Sequence, residues 1–69
     1  MDPKAALHAF LDDPDAQTLA ELAEALEDWP PAGRLLKLAA RAVFVEDDRL
    51  HSLLDEAASE ARRLLEAES

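Results

Sequence analysis

The sequence predicts an all-α fold: a single domain of 69 residues built as a small antiparallel bundle of three long helices plus a short N-terminal helix. Alanine and leucine supply most of the 49% of residues that are hydrophobic, and β-branched residues occur only at Thr18, Val43 and Val45. This composition favours helix over strand. A chain this short buries a modest fraction of its surface, and it has no cysteine with which to form a disulfide. Stability must therefore come from helix packing or from self-association.

Two Asp-Pro pairs, at positions 2–3 and 13–14, predict where the first two helices begin. The aspartate suits the N-cap, and proline suits the first helical turn because its missing N–H is not needed there. We expect the first helix over 3–11 and the second over 14–28. The second helix should stop before Trp29, because a residue that precedes proline is disfavoured in the helical region.

The double proline at 30–31 predicts the start of the third helix, with Gly33 inside it as a weak point. The Val-Phe-Val run that follows contains poorer helix formers, so the third helix should end at about 44–46. An aspartate after this run can cap a fourth helix over 48–67, the longest of the four. The alternative is one continuous helix formed from the third and fourth.

The spacing of apolar residues predicts which helix faces are covered. The second helix has an apolar face opposite an acidic one, and the first is too short to stand alone and should lie across the bundle. Apolar residues cover more than half of the third helix, including Val43, which predicts a central position for it. They leave a narrow stripe that we call the basic row: Arg34, Lys37 and Arg41. In the fourth helix an apolar seam suited to close helix packing consists of Leu50, Leu54, Ala57, Ala61 and Leu64. Connections this short imply antiparallel neighbours.

The formal net charge of −9 argues against nucleic acid or an anionic membrane as a direct partner, because both would be repelled. No apolar run approaches the length of a membrane span, and the N-terminus lacks the pattern of a secretory signal. We therefore expect a soluble, cytoplasmic protein. The charge is unevenly placed, since 31–45 carries three bases and no acid between two acidic regions.

No nucleotide-binding, hydrolase or zinc-binding motif is present, so the sequence predicts neither an enzyme nor a cofactor. The one repeated constellation pairs His8 with Asp12 and His51 with Asp55, each at i, i+4. Such pairs would suit a shared cation if the first and fourth helices placed them together. Surface pairing explains them more simply, so no metal is predicted.

Two aromatic residues are candidates for the site where a partner would bind. Trp29 continues the apolar face of the second helix and is predicted to close the end of the core against a neighbouring proline, the alternative being a partner contact. Phe44 falls beside the basic row, so either the helix has ended there or Phe44 is exposed. An exposed aromatic edged by charge is typical of an interface anchor. The predicted protein-binding residues are Phe44, Val45, Arg34, Lys37 and Arg41.

These observations favour a non-catalytic protein-interaction module of the inhibitor, antitoxin or adaptor type, which binds another protein or its own copy. The alternative is a de novo designed or self-associating bundle with a structural role, in which the fourth helix pairs with its copy. An acidic nucleic-acid mimic and a His/Asp metal site are the weakest hypotheses.

Overall fold

The computed structural model describes residues 2–68, with side chains through residue 67, and this part of the chain is helical without strands. The elements are α1 (Pro3–Asp12), α2 (Ala16–Ala25), a 3₁₀ turn (Pro30–Ala32), α3 (Gly33–Ala42) and α4 (Asp47–Glu68). The prediction of three long helices and one short helix is wrong. One helix of 22 residues packs with three helices of 10 residues each.

The first two helices begin near the Asp-Pro pairs. Helix α1 starts at the predicted residue, with Asp2 in an extended conformation before it. Helix α2 starts two residues later than predicted because Asp15 is its N-cap. The Asp15 backbone N–H donates to Thr18 Oγ1 at 3.0 Å, and the Thr18 hydroxyl donates to the Asp13 carbonyl at 2.7 Å. Thr18 thus holds the turn between the two helices closed.

Helix α2 also ends earlier than predicted, and a turn over 26–28 leads to Trp29. Trp29 has extended backbone angles (φ −106°, ψ 103°), as expected before a proline. The two prolines then form a 3₁₀ turn instead of the first turn of α3, so Gly33 is the first residue of α3. Gly33 is therefore at the helix start and not within it.

Helices α3 and α4 are separate, so the continuous alternative is wrong. Helix α3 ends at Ala42, and the Phe44 and Val45 N–H groups both donate to the Arg41 carbonyl, at 2.9 and 3.1 Å. Helix α4 begins at Asp47 with two aspartates in its first turn, where the positive end of the helix dipole favours them.

Helix α4 contacts α1, α2 and α3, and α2 likewise contacts α1, α3 and α4. The central position that the sequence assigned to the third helix is therefore shared by α2 and α4. The buried hydrophobic residues come from all four helices and the 3₁₀ turn: Ala6, Leu7, Phe10, Leu19, Leu22, Leu26, Ala32, Leu35, Ala39, Leu53, Ala57, Ala58, Ala61 and Leu64. Trp29 is half-buried and packs against this core, as predicted.

The predicted seam of α4 is largely occupied within the chain. Ala57 and Ala61 have no exposed surface. Leu53, placed by the sequence at the edge, is buried, whereas Leu50 and Leu54 are only half-buried. The alanines let the other helices approach α4 closely, so this seam belongs to the core of one molecule.

Candidate interaction surface

Two large apolar side chains are exposed where α3 ends. Phe44 is 87% exposed and Val43 is 77% exposed. The sequence placed Val43 on the apolar face of the third helix, and this is wrong because the helix ends at Ala42 and the helical periodicity ends with it. Phe44 is exposed and outside the helix, as anticipated. Val45 is half-buried and lines a shallow depression with Phe44 and Arg49. We call the surface formed by Val43, Phe44, Val45 and Arg49 the Phe44 corner.

The basic row starts beside this corner and runs back along α3. Arg34, Lys37 and Arg41 are all exposed, and they line one cleft between α3 and α4. Their i, i+3, i+7 spacing extends over about 10 Å of helix. Among the side chains that the structure describes, none of these three forms a hydrogen bond or an ion pair. No described acid of a neighbouring helix lies within ion-pair distance of the basic row, although the charge of Arg34 acts on Glu60 of α4.

The opposite wall of this cleft comes from α4, and the sequence analysis did not identify it. The cleft has a volume of about 540 Å³ and is closed on this side by Glu56, Ser59, Glu60 and Arg63. Leu38 of α3 adds an apolar contact. Four cationic side chains and two carboxylates thus line the cleft.

Glu60 and Arg63 form a two-point hydrogen-bonded contact on the α4 wall. Glu60 is buried, with 8% of its surface exposed, whereas the Arg63 side chain is 60% exposed. Arg63 Nε donates to Glu60 Oε2 at 3.3 Å, and Arg63 Nη2 donates to Glu60 Oε1. This two-point contact fixes the guanidinium plane. Arg63 is therefore held in place at the cleft.

The same contact keeps Glu60 ionised although it is buried. The hydrogen bond from Arg63 is the largest cause that holds the pKa of Glu60 below its usual range, and the charges of Arg63 and Arg34 act in the same direction. Burial opposes them by favouring the neutral acid. The Arg63 pKa is raised, first by the same hydrogen bond and then by the Glu60 charge. The pair is therefore charged near neutral pH.

A sequence signal for this contact existed. Glu60 falls on the 4-3-4 spacing of Leu53, Ala57 and Leu64, all of which are buried. A carboxylate on a buried stripe needs a partner, and Arg63 lies one helical turn away on the same helix. Reading the stripe from Leu53 instead of Leu50 would have identified the pair.

The two His/Asp pairs do not meet. His51 Nε2 lies 3.9 Å from Asp55 Oδ2, with both side chains largely exposed. His8 lies instead beside Leu65, near the other end of α4. Residues 51 and 65 are about 21 Å apart along a helix, so the pairs cannot share a cation. Among the described residues, no three His, Asp or Glu side chains are grouped as metal ligands would be.

Comparison of the chain with protein-family models, curated proteins and solved structures gives no match. Within residues 2–68, no helix combines the length and the apolar character needed to cross a membrane. Function is therefore inferred from the Phe44 corner, the basic row and the α3–α4 cleft.

Proposed function

We propose that this protein is a non-catalytic interaction module that binds another protein through the Phe44 corner and the adjacent basic row. The exposure of Phe44 carries the proposal. Phe10 is fully buried and Trp29 is half-buried, whereas Phe44 is 87% exposed. Burying a phenylalanine side chain stabilises a protein by about 1.5–3 kcal/mol, and the fold leaves this contribution unused. A partner that covers Phe44 would gain it.

The surroundings of Phe44 support a protein partner. Val43 adds a second exposed apolar side chain, and Arg41 places a guanidinium within the same stretch of chain. Aromatic and arginine side chains are enriched in protein interfaces, typically as an apolar centre with a charged rim. Such a module fits the predicted antiparallel bundle and a cytoplasmic location, both of which stay predictions.

Self-association through the fourth helix is less favoured. The hypothesis used the seam that contains Ala57 and Ala61, and both residues are fully buried within one chain. Pairing through them would require the bundle to open. No particular observation favours a designed scaffold or a nucleic-acid mimic over the interaction module.

The proposal is tested by photo-crosslinking in the cells that produce the chain. A benzoylphenylalanine side chain replaces Phe44 in one variant and Glu24, an exposed residue of α2, in a matched control. We expect a discrete protein adduct from position 44 and none of comparable yield from position 24. Equal yields from both positions, or no adduct at position 44, would contradict the proposed contact.

A further inference from the structure

The cleft between α3 and α4 continues the proposed surface from Arg41 onto α4, and its chemistry indicates what kind of partner it binds. We propose that this cleft binds an acidic helical segment of the partner protein, with the carboxylates of that segment against the basic row. This inference rests on the proposed function and specifies the partner class for the same surface.

Charge complementarity is the first support. The basic row and Arg63 supply four positive charges, and the cleft contains only two carboxylates. Glu60 is already paired with Arg63, so Glu56 is the one acid of the cleft without that compensation. Like charges at i, i+3 or i+4 destabilise a helix by roughly 0.2–0.5 kcal/mol per pair. A carboxylate ligand would relieve this repulsion along α3.

The unpaired state of the basic row is notable in so acidic a chain. The sequence has 16 acids and 7 bases, yet none of the described acids pairs with Arg34, Lys37 or Arg41. Within the cleft the charge of Arg34 acts on Glu60, and in this proposal the further acids that neutralise the row come from outside the chain.

The length of the cleft matches two turns of a helix. Along α3 the basic row spans eight residues, from Arg34 to Arg41, and along α4 the lining runs from Glu56 to Arg63, also eight residues. Each wall is thus about 10 Å long, or two helical turns. A helical segment with acids at i, i+3 and i+7 presents its charges at the same intervals as the basic row. Leu38 offers a contact for one apolar side chain of that segment.

Glu60 orients the Arg63 side chain for binding a carboxylate of the partner. A guanidinium has five N–H donors, and the contact with Glu60 uses Nε–H and one Nη2 donor. The remaining donors are available to a second carboxylate. Because Glu60 already orders the Arg63 side chain, less conformational entropy is lost on binding. Glu60 is therefore a positioning residue for the cleft.

The charge of the whole chain favours a short acidic segment over nucleic acid. A duplex carries regularly spaced phosphates that would extend beyond the cleft and meet the remaining surface of a chain with net charge −9. At physiological salt, charges farther away than about 8 Å are largely screened. A segment of two turns therefore interacts mainly with the charges of the cleft, of which four are positive and two are negative.

The test measures binding of a labelled synthetic peptide by fluorescence anisotropy. The peptide is about 15 residues of alanine and leucine with three glutamates at i, i+3 and i+7, long enough for marginal helicity in water. A second peptide has glutamine at the same three positions. We expect the glutamate peptide to bind at least about ten-fold more tightly, and its affinity to fall as salt is raised.

Variants locate the binding site. Lys37→Gln and Arg63→Gln should each weaken binding by about two- to five-fold, the range expected for an exposed charge pair. Arg62→Gln removes the same charge from the exposed neighbour of Arg63 outside the cleft lining and should change affinity less than about two-fold. Glu56→Gln should strengthen binding, because it removes an acid from the wall. Lys37→Gln does not touch the Glu60 contact, so its effect is independent of any loss of folding.

Three results would overturn the inference: equal binding of the two peptides, an Arg62→Gln effect as large as that of Lys37→Gln, or tighter binding of a short DNA duplex than of the glutamate peptide. A crosslink at position 44 without peptide binding would leave the interaction module standing and reject the acidic partner. Peptide binding without a crosslink at position 44 would support the cleft and reject the Phe44 contact.

Discussion

Replacing Phe44 with alanine should leave the free energy of unfolding nearly unchanged, whereas the same change at Phe10 should remove most of the stability. Phe44 is 87% exposed, so about 25 Å² of a side chain of roughly 200 Å² is buried. At about 25 cal/mol per Å², this burial contributes about 0.6 kcal/mol. Phe10 has no exposed surface, and truncating a core phenylalanine to alanine costs about 3–5 kcal/mol.

The two variants are compared by urea denaturation, followed by Trp29 fluorescence and by circular dichroism. A domain of this size is stabilised by roughly 3–10 kcal/mol in total, so Phe10→Ala can leave the chain unfolded. Phe10→Leu is then the measurable core variant, with an expected cost of about 1–2 kcal/mol. A loss of more than about 2 kcal/mol in Phe44→Ala would assign Phe44 to the core and remove the basis of the proposed interaction surface.

Variants at three further positions test the local structure and the cleft. Gly33→Ala should raise the free energy of unfolding by about 0.5–1 kcal/mol, because Gly33 has helical angles and a Cβ there meets nothing within 4 Å; no gain would refute this. Thr18→Val should cost about 1 kcal/mol by removing the acceptor for the Asp15 N–H, and Thr18→Ser, which keeps the hydroxyl, should cost less. Glu60→Gln should destabilise the fold at neutral pH. The lowered pKa of Glu60 contributes stability only while the acid is ionised. The difference in the free energy of unfolding between wild type and Glu60→Gln should therefore shrink below about pH 4.3. A difference that stays constant with pH would contradict the ionised pair with Arg63.

Much of the helix pattern follows from local chemistry that the sequence displays. Asp-Pro at the N-terminus places the start of α1, and Trp29 before proline marks a break in the chain. The separation of α3 from α4 follows from the weak helix formers after Ala42. The start of α2 was misplaced because the Thr18 hydroxyl bridges residues 13 and 15, a contact that depends on the path of the turn.

The residues of the proposed interaction surface were predicted only in part. Phe44 and the basic row could be identified because both depend on one helix and its end. Val43 was placed on the wrong face because its position depends on where α3 stops. Glu60 and Arg63 were missed because the packing of all four helices decides which face of α4 is buried. The apolar spacing of α4 can be read from Leu50 or from Leu53, and the sequence does not show which of the two faces is packed.

The length of α4 and its contacts with every other helix have a consequence for how binding and folding are coupled. Its 22 residues are about 33 Å long, which matches the longest dimension of the molecule, 33 Å, and it contacts each of the other helices. Detaching α4 would therefore expose core side chains on each of the other three helices, while the α1–α2 and α2–α3 contacts would remain. A ligand in the α3–α4 cleft bridges this helix to a neighbour. Its binding free energy should thus resist global unfolding, and the amide protons of all four helices should exchange more slowly together when the cleft is filled.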